Sequence, residues 1–403
     1  MSSSDRVIAA PLRIRLAEPT IGGNAAAYIE ECLATNFVSS VGPFVERFEV
    51  AFAETVGARY AVACASGTAA IHLALHVLDV SAGDDVLVPT MTFVASANPV
   101  RYVGANVILI DAEDETYNLD PQHVADELDR RARGQIRMPA AVEVVHLVGH
   151  PARLEPIVDA CSRHGVPIIE DASEALGATY ATGRFAGRHV GTIGRIGCFS
   201  FNGNKIITSG GGGMLVTDDE AIARRARHLS TQARIPGRAY DHDEVGYNYR
   251  LSNIAAALGL AQLEQLPELL AGRRANADRY DAAIGGPSAG NGPLGALRRA
   301  PRTDWARPSF WLYTARLDRE ATDISRDAVI EGLAARHIEA RPIWTPLHRT
   351  RLYEGSPRLG GEVAEAVFAD AISLPSSSNL GVYNQAEVIG ALAAALDGGV
   401  HPP

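Results

Sequence analysis

Short apolar segments that alternate with helical patterns dominate the chain between residues 60 and 218. The segments are YAVACAS (60–66), DVLVPT (85–90), NVILID (106–111), VEVVHLV (142–148), VPIIEDA (166–172), IGCFSF (196–201) and GGMLVTD (212–218). Runs of this kind, rich in Val and Ile, are typical of strands that are buried on both faces of a parallel sheet. The alternation predicts an α/β fold in which helices cover both faces of a mostly parallel central sheet.

Unusual polar residues follow several of these predicted strands. They are Ser66-Gly67-Thr68, the segment from Thr90 to Phe93, His146, Asp171 and Lys205. In open parallel sheets, ligands bind at the carboxyl ends of the strands. We therefore expect these residues to lie around one site.

The second half of the chain has a different pattern. A long amphipathic helix is predicted over roughly 252–283, and a Gly/Pro/Ala-rich stretch at 285–301 indicates a loop or linker. We expect a large domain over 1–283, which includes the N-terminal segment and this connecting helix. A smaller C-terminal α+β domain is expected over 284–403.

Composition and charge exclude several classes of protein. The net charge of −10 argues against non-specific binding to nucleic acid. The four cysteines form no C-x-x-C pair, so we expect reduced thiols in a cytoplasmic protein, with no metal site and no disulfide framework. The first residues lack the apolar core of a signal peptide, and no apolar run reaches the ~20 residues of a membrane span.

Lys205 is the single lysine of a chain that contains 37 lysine and arginine residues together. Arginine can replace lysine at most surfaces and ion pairs, but it cannot lose its proton at a working pH. A lysine amine with a lowered pKa can attack a carbonyl and form an imine. The sequence alone leaves two explanations, an imine-forming lysine or an arginine-rich codon bias that spared one lysine.

Asp171 ends an apolar segment in PIIEDASEALGA. It could cap a following helix. It could also be the partner of a protonated pyridine nitrogen, which keeps the ring able to accept electrons. Such an aspartate and an imine-forming lysine are the recognisable protein parts of a pyridoxal phosphate (PLP) site.

A phosphate could bind where Ala65-Ser66-Gly67-Thr68 joins a strand to a helix. The glycine allows close approach, and the helix N-terminus offers free N–H groups. Ser200 could donate to the same phosphate, and Phe93 could either stack on a ring or belong to the core. The glycines at 210–213 do not complete G-x-G-x-x-G, and Lys205 follows Asn204, so neither a dinucleotide fingerprint nor a P-loop is present.

The chain resembles the sugar aminotransferases of the DegT/DnrJ/EryC1/StrS group, which are PLP enzymes of fold type I. The resemblance rests on NFVSSVGPFVERFE, ASGTAAIHLAL, VPTMTFVASANPV, IIEDASEALGA, CFSFNGNKIITSGGGGMLVTD, GYNYRLSNIAAALGLAQLE, RPIWTPLH and ISLPSSSNL, in family order along nearly the whole chain. FVSSVG and SFNGNKIIT are most similar to the LegC-like branch, which acts on UDP-4-keto-6-deoxy sugars.

The resemblance implies the following roles around PLP: Lys205 forms the imine and moves protons, Asp171 binds the pyridine nitrogen, Gly67, Thr68 and Ser200 hold the phosphate, and Phe93 stacks on the ring. Glu174 stands beside the ring hydroxyl, where many members have Gln or His. Asn248 corresponds to a residue that reaches the phosphate of the neighbouring subunit, which implies a homodimer with shared active sites.

Substrate contacts are less defined. His146, Arg250 and His348 are candidates for the sugar site, although a structural role is an equal alternative for the two histidines. Thr345 stands where a lysine is common in the family, which leaves the contacts of RPIWTPLH with the sugar nucleotide open.

These features predict an aminotransferase that moves an amino group from L-glutamate to C4 of a UDP- or dTDP-linked 4-keto-6-deoxy sugar. The alternatives are a 3-keto-sugar aminotransferase, a related PLP-dependent sugar dehydratase and a non-catalytic PLP-binding regulatory protein. The type of dehydratase that has histidine in place of the lysine is disfavoured by Lys205. The regulatory protein is disfavoured because no basic helix-turn-helix segment is evident.

Overall fold

The computed structural model of the chain describes residues 12–237, 240–285 and 292–398. Its helices are α1 (Ala25–Ala34), α2 (Pro43–Val56), α3 (Gly67–Val77), α4 (Val94–Tyr102), α5 (Pro121–Arg133), α6 (Leu154–His164), α7 (Glu220–Ser230), α8 (Asn253–Glu264), α9 (Leu266–Gly285), α10 (Arg326–Ala334), α11 (Glu362–Asp370) and α12 (Gly381–Leu396). Within those described ranges, no helix combines the length and apolar character needed to cross a membrane.

The strands are β1 (Tyr60–Cys64), β2 (Asp85–Pro89), β3 (Asn106–Ile110), β4 (Ala141–Val145), β5 (Ile168–Asp171), β6 (Thr179–Tyr180), β7 (Ile196–Ser200), β8 (Gly213–Thr217), β9 (Leu297–Arg298), β10 (Ala306–Arg307), β11 (Tyr313–Leu317), β12 (Arg341–Pro342), β13 (Arg358–Leu359) and β14 (Ala371–Leu374). Eight of them form a large sheet in the order β1-β8-β7-β5-β4-β2-β3-β13. Only the two pairs made by β8 are antiparallel. The predicted mostly parallel sheet is therefore confirmed.

Both faces of the large sheet are buried. In β3, for example, Ile108 and Ile110 belong to one apolar core, whereas Val107 and Leu109 belong to the core on the opposite face. The first core packs the sheet against α2, α5, α6 and α8, and the second packs it against α3, α4 and α7. Because alternate side chains of a strand point to opposite faces, continuous apolar runs are what this two-sided burial requires.

A second sheet, with the order β12-β14-β11-β9, lies in the C-terminal part of the chain. Its core contains apolar side chains from α9, α10 and α12. The same part of the chain also supplies β13, which pairs with β3 at the edge of the large sheet. The domain boundary between residues 283 and 284 stays a prediction. Residues 286–291 of the predicted linker lie outside the described residues.

The single long helix predicted over 252–283 is wrong, because the structure has α8 and α9 separated at Gln265. Pro267 gives the physical reason. Proline has no N–H to donate to the carbonyl of Leu263, and it disfavours the helical conformation of the residue before it. The chain therefore ends one helix and begins another at this point.

Gly197 offers a test of the packing around β7. A Cβ atom at this position would lie 1.9 Å from the carbonyl oxygen of Gly191, whereas a Cβ at Gly390, inside α12, would meet nothing within 4 Å. We expect Gly197→Ala to lower the free energy of unfolding by about 3 kcal/mol through overpacking. Gly390→Ala, the matched control, should raise it by about 1 kcal/mol because alanine favours helix. Denaturant unfolding of both variants measures this, and a Gly197→Ala protein as stable as the wild type would contradict the packing.

Candidate active site

A cavity of about 230 Å³ lies at the edge of the large sheet where β1, β2, β5 and β7 reach their carboxyl ends. It is lined by residues that the sequence predicted for the site, namely Gly67, Thr68, Phe93, Asp171, Glu174, Ser200 and Lys205. Its lining also includes Ser66, Ser96, Ser173, Asn204, Trp311 and Trp344. The strand ends thus bring together side chains that are far apart in the sequence.

Lys205 lies in the turn that follows β7, and its side chain is 13% exposed. Its Nζ is 3.7 Å from Oε1 of Glu174 and 3.9 Å from the centre of the Trp311 ring. Burial lowers the pKa of the lysine amine, against the opposing effects of the Glu174 and Asp171 carboxyl groups. A lowered pKa increases the fraction of neutral amine, which is the form that attacks a carbonyl.

Trp311 and Arg273, which the sequence analysis did not identify, hold the turn of Lys205. The indole Nε1 of Trp311 donates a hydrogen bond of 2.7 Å to the carbonyl oxygen of Asn204. Arg273 is 1% exposed and donates to the carbonyl oxygens of Trp311 at 2.7 Å and Ser376 at 3.0 Å. It also approaches the carbonyl oxygen of Lys205 at 3.5 Å. This buried guanidinium therefore connects the lysine turn to the C-terminal sheet.

Asp171 ends β5, and its two carboxyl oxygens accept different hydrogen bonds. Oδ2 accepts from the hydroxyl of Ser96 at 2.8 Å, and Oδ1 accepts from the backbone N–H of Ser173 at 3.0 Å. The residues after Asp171 form turns, and no helix begins there. The helix-cap alternative for Asp171 is therefore wrong. The Ser173 bond is an Asx-type turn, which orients the carboxylate at the cavity.

A phosphate-sized anion can be held where β1 leads into α3. Ser66 caps α3 by accepting from the N–H of Ala69, and Gly67 and Thr68 form the first turn, where N–H groups lack helical partners. A Cβ at Gly67 would lie 2.8 Å from Cβ of Ser200 and 3.1 Å from Oγ of Ser173. Only glycine lets these hydroxyl groups approach the helix N-terminus so closely. This cradle and the nearby Lys205 and Asp171 fit the donor set that PLP requires.

Glu174 is buried beside Lys205 and has two further partners. Oε2 accepts from the backbone N–H of Val148 at 2.8 Å, and Oε1 accepts from Nε1 of Trp344 at 3.2 Å. Burial raises the pKa of the Glu174 carboxyl, against the opposing effect of Lys205. Val148 has φ 48° and ψ 18°, a left-handed conformation that is strained for a β-branched residue. The strained turn aims the Val148 N–H at Glu174, which indicates that the position of this carboxyl matters.

Phe93 does not belong to the protein core. Its ring is 48% exposed and lies 5.0 Å, centre to centre, from the ring of Trp344. Trp344 in turn stacks on Trp311 at 6.2 Å. The three rings form an aromatic wall of the cavity, in which Phe93 has a face that a planar ligand can cover.

Asn248 and Arg250 lie outside the described cavity lining. Asn248 is exposed, and the carbonyl oxygen of its neighbour Tyr249 accepts from the N–H of Ala65 at 2.7 Å. Nε of Arg250 donates to the carbonyl oxygen of Ser40 at 3.0 Å. This segment therefore runs beside the strand end that begins the phosphate cradle, and the roles predicted for both side chains stay predictions.

His146 and His348 are also absent from the described cavity lining, and both have hydrogen-bond partners at each ring nitrogen. In His146, Nδ1 accepts from the N–H of Ala152 at 3.0 Å, so Nε2 carries the proton and donates to Glu170 at 2.9 Å. His348 pairs through Nδ1 with Thr90 at 2.7 Å and through Nε2 with Glu365 at 2.9 Å. These contacts favour structural roles, and contact with a sugar stays a prediction for both.

The variant Lys205→Arg distinguishes the positive charge of the side chain from its ability to form an imine. Arginine keeps the positive charge but forms no imine, so we expect both Lys205→Arg and Lys205→Ala to lose the visible absorbance that develops when PLP is added to the wild type. Arg225→Lys, a conservative exchange on α7 away from the cavity, is the control and should keep the spectrum. Thermal unfolding should show that all variants fold. A Lys205→Arg protein with the wild-type spectrum would exclude imine formation at this residue.

The chain is similar to known proteins over most of its length. The model of the DegT/DnrJ/EryC1/StrS aminotransferase family matches residues 19–393. The protein named pyridoxal phosphate-dependent aminotransferase EpsN, from Bacillus subtilis (strain 168), is 43% identical over 381 residues, which cover 94% of each chain. GDP-perosamine synthase from Caulobacter vibrioides is 40% identical over 381 residues, covering 94% of this chain and 97% of its own.

Solved structures show the same fold. The aminotransferase TlmJ from Streptoalloteichus hindustanus superposes with a TM-score of 0.84 at 30% identity and covers 96% of this chain and 99% of its own. A DegT DnrJ EryC1 StrS aminotransferase from Brucella abortus superposes with a TM-score of 0.82 at 26% identity, covering 92% of this chain and 94% of its own.

Proposed function

The chain belongs to the DegT/DnrJ/EryC1/StrS aminotransferase family, and we propose that it aminates C4 of a nucleotide-linked 4-keto-6-deoxy sugar with nitrogen from L-glutamate. It is a PLP-dependent aminotransferase. The observation that carries the PLP-dependent chemistry is the convergence of Lys205, Asp171 and the Gly67 cradle on one cavity, and the names of relatives support the sugar substrate. These groups supply an amine, a carboxylate and an anion site at the same sheet edge.

Different residues of the cavity would hold the cofactor and move protons. Bound PLP supplies an electron sink that makes a proton on the carbon next to the amine removable. Asp171 would keep the ring nitrogen protonated, and the N–H groups of Gly67 and Thr68, with the Ser200 hydroxyl, would bind the phosphate. Lys205 would bind the cofactor covalently and, after the amino donor displaces it, carry the proton at Nζ. Trp311 and Arg273 would keep that amine in reach, and Phe93 would cover a ring face.

The nucleotide is where the sequence-based prediction and the relatives differ. The sequence predicted UDP or dTDP, whereas two relatives at 40% and 36% identity, from Caulobacter vibrioides and Escherichia coli O157:H7, are named GDP-perosamine synthase. Their names make GDP the first nucleotide to test for this chain, ahead of UDP and dTDP. Thr345, in place of the lysine common in RPIWTPLH-type segments, is a reason to test all three.

A panel of keto sugars tests the proposed reaction. The purified protein with PLP and L-glutamate labelled in its nitrogen should place the label on a 4-keto-6-deoxy sugar carried by GDP, UDP or dTDP. Mass spectrometry detects the label, and NMR assigns it to C4. Lys205→Ala, the control, should give no labelled product. The panel also includes the 3-keto isomers, and label that enters only these sugars, at C3, would instead identify the 3-keto aminotransferase. A product that loses oxygen without gaining nitrogen would identify the dehydratase.

We further propose a homodimer with shared active sites, in which Asn248 donates to the phosphate of the partner's cofactor. Asn248 is exposed, while Gly67, Thr68 and Ser200 already surround the anion site of its own chain. An exposed amide beside a site that has enough donors of its own is free to serve a second copy. The segment that carries it pairs with Ala65, so it is held close to the cavity mouth.

Mixed dimers test this sharing. We expect Lys205→Ala and Asn248→Ala proteins each to have little activity alone. After subunit exchange, each mixed dimer should regain one intact site, which combines Lys205 of one chain with Asn248 of the other. Activity is measured after native mass spectrometry has confirmed the exchange. No gain over the separate variants would show that Asn248 does not act across the interface.

A further inference from the structure

Glu143 is a carboxyl group that the chemistry described above does not use. It lies in the middle of β4, is 0% exposed, and neither of its side-chain oxygens has a hydrogen-bond partner among the described residues. Burial of an isolated carboxylate costs so much free energy that such a group takes up a proton instead. A buried side chain of this kind needs an explanation.

In the strand register, Glu143 lies two residues before the position of β4 that pairs with Asp171. Glu143 pairs with Ile169 and Val145 pairs with Asp171, so all four side chains point to the same face of the sheet. Two residues along the strand and one strand across put the Cα atoms of Glu143 and Asp171 about 8 Å apart. Val145 and Asp171 line the cavity, and Glu143 lies one row deeper.

The groups around Glu143 are mostly apolar. The core on this face includes Val86 and Val88 of β2, Ile71 of α3 and Ala97 of α4. The titratable groups that interact with its charge are Asp171 on β5, Cys198 on β7 and Tyr353. Within the described parts of the chain, no basic group acts on it. Burial, followed by the charge of Asp171, raises the pKa of Glu143 well above its usual value.

We propose that Glu143 is a positioning residue that remains a neutral acid beneath Asp171, so that the two carboxyl groups carry one negative charge, concentrated on Asp171 at the nitrogen end of the cofactor site. This inference rests on the proposed role of Asp171 toward the ring nitrogen. Two carboxylates that lie close together in a buried site repel each other, which favours the neutral form of the one with fewer hydrogen-bond donors. Asp171 has two hydrogen-bond donors, Ser96 and the Ser173 N–H, whereas Glu143 has none, so the charge settles on Asp171.

Ligand binding changes the pKa of Glu143 in a definite direction. A protonated ring nitrogen beside Asp171 offsets the repulsion that Asp171 exerts on Glu143, so the pKa of Glu143 is lower with the ligand bound than without it. Binding then releases a fraction of a proton, and the affinity of the wild type rises with pH between these two pKa values. Glutamine at 143 cannot titrate and removes this part of the pH dependence.

The experiment measures the dissociation constant of 4-deoxypyridoxine 5′-phosphate, which lacks the aldehyde and cannot react with Lys205. Titrations of the wild type and Glu143→Gln run from about pH 5 to pH 9, and the ionisations of the ligand cancel in the ratio of the two constants. We expect the variant to bind as tightly as the wild type wherever Glu143 holds its proton, and more weakly only at pH values high enough to ionise the wild-type carboxyl group. A variant that binds more weakly than the wild type by the same factor at every pH, including the acid end, overturns the inference.

Three companion variants keep the result decisive. Glu143→Met, of similar volume and also neutral, should match Glu143→Gln and replaces it if that protein does not fold, whereas Glu143→Asp should keep the wild-type pH dependence. A merely structural Glu143 would lower the affinity equally at all pH values. Asp171→Asn should weaken binding at every pH, and if it does not, the proposed role of Asp171 fails irrespective of Glu143.

Discussion

The parallel alignment of β2, β4, β5 and β7 is the constraint on which the site depends, because it brings the carboxyl ends of these strands to one edge of the sheet. Asp171 ends β5, Ser200 ends β7, and Lys205 follows in the next turn. β8 then returns antiparallel between β7 and β1. This return puts β1 two strands away from β7, and the chain after β1 then brings Gly67 back against Ser200. The position of each of these side chains therefore depends on strands that are distant in the sequence.

Electrostatics within the cavity follow from burial. Burial favours the neutral forms of Lys205, Glu174 and Glu143, and it raises the pKa of both glutamates. Asp171 differs because a hydroxyl and a backbone N–H donate to it. In the proposed arrangement, the charge that a cationic ring nitrogen needs lies on this one carboxylate, while burial moves the lysine amine toward its reactive form. Trp311 and Arg273 pack behind the turn that carries Lys205. They hold the amine in the cavity although its distance to the Glu174 carboxyl is 3.7 Å, which is too long for a tight ion pair.

The sequence predicted the parts of the structure that depend on local patterns. Apolar runs predicted all seven strand segments of the large sheet between residues 60 and 218, and a lone lysine with an aspartate at a strand end predicted the centre of the cavity. It did not predict Trp311, Trp344 and Arg273, because these residues reach the cavity through long-range packing. The rarity of tryptophan, with three in the chain, was a signal for two of them, and Trp344 also lies in the segment RPIWTPLH. The break at Gln265 was readable from Pro267, whereas β13 is too short to be distinguished from a loop.

The central claim is that Lys205 carries the cofactor, and covalent trapping tests it most directly. The protein is incubated with PLP, reduced with borohydride, digested and examined by mass spectrometry. A pyridoxyl phosphate group on the peptide that contains Lys205, and its disappearance in Lys205→Arg, is the result that the structure predicts. Because the chain has no other lysine, the remaining amine that could react is an α-amino group. Trapping at an α-amino group alone, or no trapping at all, would contradict the assignment.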